Sequence, residues 1–250
     1  MKPTRSLLSL ALVGPLALAL AACGGESGDI AESDAIAAIP APEGTNWSET
    51  VTVSDQGGYI LGNPDAPLKL VEYASHTCGA CAIFSATGKP ALKDEYIASG
   101  VVSFEQRNLV RDPIDLTIAT LVRCGPDENM QPLSDQAWAV YNQFFDNVQA
   151  NAALYQAAGD LPTDQRFIQI AQAAGLIDFF AARGISADQQ AACLSDTATI
   201  ETIANNSSQQ AAELGIQATP TFLLNDRKVD ANQWGDLEPI LQRAGARPAE

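Results

Sequence analysis

Cys78 and Cys81 stand three positions apart in "SHTCGACAIF", residues Ser75 to Phe84, and the chain's single histidine, His76, lies two residues before the first of them. Thiols at this spacing can ligate a metal, form a fixed staple, or exchange electrons with other thiols. A structural zinc site needs four ligands. With one histidine and no second Cys-x-x-Cys, no metal is expected here. A cysteine at the start of a helix faces unpaired backbone N–H groups and the positive end of the macrodipole, and both lower its pKa. The second cysteine then sits in the first turn, close enough for a reducible disulfide. On this reading Cys78 is the exposed nucleophile, Cys81 is the more buried resolving thiol, and no cofactor is needed.

Two further features bear on the same chemistry. In "GIQATPTFLL" a proline follows a helix and a glycine and directly precedes an apolar strand. A cis bond at Thr219-Pro220 would leave the Thr219 backbone groups open to an incoming peptide. Glu72 in "LKLVEYA" shares a strand face with Leu68 and Leu70, so alternation buries it. A buried carboxyl has a raised pKa and can exchange a proton with Cys81. The other reading of Glu72 is an edge-strand residue that reaches solvent.

These residues must be positioned by the elements around them. A short strand is expected at about Val51 to Ser54, then a turn-rich connection, "GGYILGNPDAP". "LKLVEYA" has the length and composition of a strand buried on both faces. A helix follows from Cys78 to about Ser99, broken at Gly88 and Pro90, and "VVSFEQRNLV" is the next strand. Strand, helix, strand at this length is a βαβ unit with parallel strands. About a hundred residues with helical signals follow. Asp112-Pro113 opens one helix, Ser134 caps another carrying Trp138, Tyr141 and Phe145, and Thr163 a third. Ser186 begins a capping box before Cys193, and Gly215 ends the last helix. "TPTFLLNDRKVD" reads as a hairpin turning at Asn225-Asp226, before a terminal helix. The order is that of a small mixed-sheet α/β domain with a helical insertion.

Lys2 and Arg5 precede an apolar run from Leu7 to Leu20, too short to span a bilayer comfortably, as in a secretory signal. It ends in Leu20-Ala21-Ala22-Cys23, which resembles a bacterial lipobox whose cysteine is lipidated; an ordinary signal-peptidase site is the alternative. Cleavage would leave 228 residues and take the net charge from −16 to −18. So acidic a surface repels nucleic acid and anionic headgroups, and attachment to a membrane would come from lipid. Setting Cys23 aside leaves four cysteines, Cys78, Cys81, Cys124 and Cys193, which allow three pairings. Residues 1–22 are expected as signal peptide and 23–46 as a flexible tether. The domain would comprise 47–111 and 215–250, with 112–214 inserted.

Cys-x-x-Cys after a central strand, a helical insertion, and Gly-x-x-x-Thr-Pro-Thr-Phe before a late strand together resemble the DsbA-like thiol–disulfide oxidoreductases of the thioredoxin superfamily. The resemblance runs from about Tyr59 to the C-terminus and is closest from "LGNPDAPLKLVEYASHTCGAC" through "SGVVSFEQRNLV". It implies a thioredoxin-like mixed sheet, with Cys78 as nucleophile, Cys81 as resolving thiol and Glu72 as the buried acid. Thr219 and Pro220 would be the cis-proline pair lining the peptide groove. It also implies that Cys124 and Cys193, both in the insertion, form a structural disulfide; a free or regulatory pair is the alternative. Implied partners are exported client proteins with cysteines and a membrane protein that oxidises or reduces the pair, in the periplasm, with this chain a lipid-anchored monomer.

Between its cysteines this chain has Gly79-Ala80 where the family typically has Pro-His. With no charge in that dipeptide, a less depressed Cys78 pKa and a less oxidising couple are expected than in a dedicated oxidase; a pKa at or below about 4 would contradict this. His76 would compensate if its ring folded over the sulfur beside the substrate; otherwise it is an exposed loop residue. An oxidase is the leading reading. A reductase or isomerase is the alternative within the class, and a non-catalytic peptide-binding lipoprotein the alternative outside it.

Overall fold

The computed structural model describes residues 30–248; the expected signal peptide and Cys23 lie outside the described residues. Among the described residues six strands form one mixed sheet: β1 (Val51–Val53), β2 (Tyr59–Leu61), β3 (Leu68–Ala74), β4 (Val102–Asn108), β5 (Thr221–Leu224) and β6 (Arg227–Val229), in the order β1-β2-β4-β3-β5-β6. β3 and β4 are parallel, as a right-handed βαβ unit requires, with Glu72 level with Gln106. On its other side β3 pairs antiparallel with β5, where Glu72 faces Phe222. The β5–β6 hairpin turns on Asn225 and Asp226, both at positive φ (48° and 64°), the geometry that favours Asn and Asp in such tight turns.

The helix after β3 comes in three pieces. α1 (Gly79–Thr87) ends at Gly88, α2 (Lys89–Ala91) carries Pro90, and a π-helical stretch covers Leu92–Ile97. Pro90 has no N–H to donate and its ring crowds the preceding turn, so the break falls where the sequence puts glycine and proline. Eight α-helices then lie between β4 and β5: α3 (Pro113–Leu121), α4 (Met130–Ala139), α5 (Tyr141–Ala150), α6 (Ala152–Ala157), α7 (Thr163–Ala173), α8 (Leu176–Ala181), α9 (Ala187–Ser195) and α10 (Thr197–Leu214). α11 (Trp234–Arg243) follows the hairpin.

Alternation along the strands divides the sheet into two faces. Leu68, Leu70, Phe104, Phe222 and Leu224 pack against Phe84, Leu92, Tyr96, Leu237 and Leu241 of the flanking helices. Burying each of the phenylalanines contributes about 2–3 kcal/mol. Val71, Tyr73 and Leu223 pack on the other face with Ile216. A separate core holds the helices between β4 and β5 together, reaching the sheet through Tyr59.

Three expectations about elements change. "GGYILGNPDAP" is not all turn, because Tyr59–Leu61 forms a strand antiparallel to β4. Three residues between glycines carry too little pattern to reveal that pairing. Ser134 caps nothing: α4 begins at Met130 and Ser134 lies buried within it, while Tyr141 and Phe145 belong to α5 after a break at Val140 (φ −128°, ψ 15°). Residues 23–46 were expected as a tether, yet within their described part the Ser33, Ile36 and Ile39 N–H groups donate to the Arg243, Gly245 and Ser99 carbonyls. Ile30 and Ile36 pack partly buried on the core, which offsets the entropy of ordering this segment.

Candidate active site

The site is built on the end of β3 and the start of α1. Cys78 is the N-cap of α1, extended at φ −101° and ψ 118°, and its sulfur accepts the Cys81 N–H at 3.5 Å. The Cys78 sulfur lies 3.2 Å from the Thr219 carbonyl oxygen. Thr219-Pro220, just before β5, is cis. One sequence motif and another 141 residues away therefore meet at one sulfur. Cys78 and Cys81 are both thiols. Cys78 was expected to be exposed, but it is only 5 % exposed and packs in a small cluster with Ala74, Cys81 and Trp138.

The two thiols are strongly differentiated. The Cys78 pKa falls to about 5, chiefly because the Cys81 thiol donates to its sulfur; burial opposes this, and the backbone N–H groups of Cys81 and Ala80 add to the lowering. Burial pushes the Cys81 thiol up, and its bond to Cys78 and the charge of Glu72 push it further. Cys78 is thus a thiolate at neutral pH, and Cys81 keeps its proton.

Glu72 lies beneath them, 1 % exposed, and neither carboxyl oxygen has a hydrogen-bond partner among the described residues. Burial raises its pKa to about 8, with the Lys89 ammonium pulling it back. Lys89 is itself buried in the kinked helix, where Nζ donates to Asp135 Oδ1 at 2.7 Å and Gln106 Oε1 at 3.2 Å. Lys89 and Asp135 line a cavity of about 570 Å³ together with Ser85, Lys93 and Gln131.

His76 neither covers the sulfur nor lies in an exposed loop. It is fully buried, with Nε2 2.9 Å from Ser134 Oγ and Nδ1 3.4 Å from Asp115 Oδ1, and its ring stacks on Trp138 at 5.1 Å. A residue so placed cannot touch a client, so its expected role in substrate binding is withdrawn. The sequence did not single out Asp115, which is fully buried. Its Oδ1 accepts the His76 N–H at 2.8 Å, and its Oδ2 accepts the Ser75 hydroxyl at 2.6 Å and the Arg111 N–H at 3.0 Å. Trp138 Nε1 donates to the Ser75 carbonyl at 2.9 Å, and Thr77 Oγ1 donates to Asp112 Oδ2 at 2.6 Å. The loop leading into Cys78 is therefore held by α3 and α4. The only signal for this in the sequence was Asp112-Pro113, and it read as a helix cap. Cys124 and Cys193, far from Cys78 in sequence, are disulfide-bonded with Cα atoms 6.1 Å apart.

Comparison with known proteins agrees with this geometry. The family model described as thioredoxin matches residues 54–243. A Rickettsia bellii protein named "Putative protein-disulfide oxidoreductase" is 26% identical over 210 residues, covering 81% of this chain and 70% of that one. The crystal structure of a protein-disulfide isomerase from Novosphingobium aromaticivorans is 31% identical, with TM-score 0.69, over 74% of this chain and 96% of that one. Wolbachia pipientis alpha-DsbA1 shares the fold at 20% identity, with TM-score 0.62, over 77% and 93%. The chain belongs to the thioredoxin family, and the proteins it is similar to include one named a protein-disulfide oxidoreductase and one a protein-disulfide isomerase.

Proposed function

We propose that Cys78 and Cys81 exchange disulfides with exported client proteins, and that the usual direction is disulfide formation. The observation that carries this is the split between the thiols, with Cys78 lowered to about 5 and Cys81 raised. A thiolate stabilised in the reduced protein makes the disulfide a stronger oxidant. In the oxidised protein a client thiolate attacks the Cys78 sulfur, and the Cys78–Cys81 bond breaks. Cys81 leaves as a thiolate and takes the proton of Glu72. A second client thiolate then attacks the client sulfur of the mixed disulfide and expels Cys78. The client loses two electrons, the protein gains them, and a membrane thiol oxidase restores the disulfide.

The Thr219 backbone and Pro220 would line the groove for the client segment, since Thr219 already reaches the Cys78 sulfur. Gly79 and Ala80, which separate the cysteines, offer no charge to Cys78, consistent with a couple milder than that of a dedicated oxidase. Residues 47–111 and 215–250 would form the thioredoxin-like unit and 112–214 the insertion. The protein would be a periplasmic monomer, exported by residues 1–22 and held at the membrane by lipid on Cys23.

The test is Cys81→Ser in the intact lipoprotein. Expected are client mixed disulfides on Cys78 that accumulate in living cells and vanish in Cys78→Ser. No trapped species would remove the catalytic reading and leave a peptide-binding lipoprotein. Trapping that persists only when the cell supplies reducing equivalents would reverse the direction.

A further inference from the structure

Gly79 opens α1 directly after Cys78 and meets α5. A Cβ at position 79 would stand 2.8 Å from Tyr141 Oη and 3.6 Å from Tyr141 Cζ. The first distance is closer than Cβ atoms pack, whereas the second is an ordinary contact. We propose that Tyr141 is a positioning residue of the redox centre: its hydroxyl confines the first residue between the cysteines to glycine and keeps the first turn of α1 against the Cys78 sulfur. The inference rests on the reading of Cys78–Cys81 as a redox pair.

Tyr141 is not free to swing aside. Three residues before it, Trp138 Nε1 is bonded to the Ser75 carbonyl, and Asp135 Oδ1 accepts the Ser85 hydroxyl at 2.8 Å. The end of α4 is thereby pinned to both the loop before Cys78 and the body of α1. α5 begins at Tyr141, whose half-buried ring packs on the core of the inserted helices and edge-on against Phe145 at 6.4 Å. The hydroxyl thus reaches Gly79 from the first residue of α5, just past the pinned end of α4, with its ring held by the core of the inserted helices and by Phe145. Because the Cys81 and Ala80 N–H groups help hold the Cys78 charge, a side chain that pushes this turn away from Tyr141 also raises the Cys78 pKa.

The test is a double-mutant cycle of Gly79→Ala and Tyr141→Phe in the mature chain, with the Cys124–Cys193 bond intact. Urea midpoints and the pH dependence of Cys78 alkylation are the readouts. Alanine favours helices over glycine, so a loss on Gly79→Ala points to the contact. With Tyr141 in place, Gly79→Ala is expected to lower the midpoint and to slow alkylation at pH 5 by about threefold or more. In the Tyr141→Phe background both effects should be clearly smaller. If Gly79→Ala does not fold alone, Tyr141→Phe should restore folding. Equal effects in both backgrounds, no effect in either, or no rescue would overturn the inference. Exchange of the wild-type protein with glutathione separately tests the redox reading; its absence would remove that reading and leave the cycle interpretable.

Discussion

The Cys81 N–H donates to the Cys78 sulfur at 3.5 Å, so Cys78 itself caps the helix that carries Cys81. The helix start supplies donors to the thiolate, and the Cys81 thiol supplies another. Removing that thiol should show in the acidity of Cys78. Cys81→Ala is expected to raise the Cys78 pKa above about 5 by more than Cys81→Ser, whose hydroxyl still donates. Alkylation rates or thiolate absorbance between pH 3 and 9 measure this. Equal shifts in the two variants would show that the Cys81 side chain is not the main donor.

The reduced protein should show two opposed pH dependences. The Glu72 pKa is raised from 4.5 to about 8, so between those values the folded state holds a proton that the unfolded state has lost, and stability falls as pH rises. The Cys78 pKa is lowered from 9.0 to about 5; its contribution is fully present above pH 9 and is lost as pH falls toward 5. The slopes offset each other between about pH 5 and 8. Cys78→Ser should unmask a stability that falls with rising pH, measured by urea unfolding in reductant.

Glu72→Leu removes a carboxyl group that folding buries without a hydrogen bond and must hold protonated at pH 7. It is expected to stabilise the reduced protein by about 3 kcal/mol at pH 7 while slowing exchange with glutathione, because Cys81 loses its proton partner. Unfolding and exchange rates on one preparation test both. Lower stability would mean that Glu72 has partners that hold its charge.

Asp115→Ala strips acceptors from the Ser75 hydroxyl and from the N–H groups of His76 and Arg111. Breaking a buried charged network costs about 3–5 kcal/mol. The urea midpoint should fall sharply, and the Cys78 pKa should rise as the loop before it loosens.

Replacing Cys124 and Cys193 with alanine opens a loop of 69 residues, for a loss of about 4 kcal/mol in the chain-entropy estimate. Exchange at 25 °C should change little, since Cys124 packs on the core of the inserted helices and Cys78 in a different cluster.

The residues that could do chemistry were legible because each carries a local signal. Cys78 and Cys81 precede helical periodicity, Glu72 interrupts a buried strand, and Thr219-Pro220 interrupts the approach to another. Asp115, Trp138, Tyr141 and Lys89 carried none. Asp115 and Lys89 drew no reading of their own beside Asp112-Pro113 and the Gly88–Pro90 break, and Trp138 and Tyr141 were read only as residues carried by a helix. Their roles arise from the packing of α3, α4 and α5 against the start of α1, a set of contacts 35 to 63 residues apart in sequence. His76 misled for the same reason. Adjacency to Cys78 suggested a partner for the sulfur, but Ser134 and Asp115 draw its ring inward.

The reduction potential of the Cys78–Cys81 couple, measured against glutathione redox buffers at pH 7, decides whether this pair oxidises its clients. The account predicts a two-electron couple between about −180 and about −120 mV, oxidising but short of the strongest oxidases. A couple at or below about −250 mV, in the range of dedicated reductants, or a pair that does not exchange at all, would contradict it.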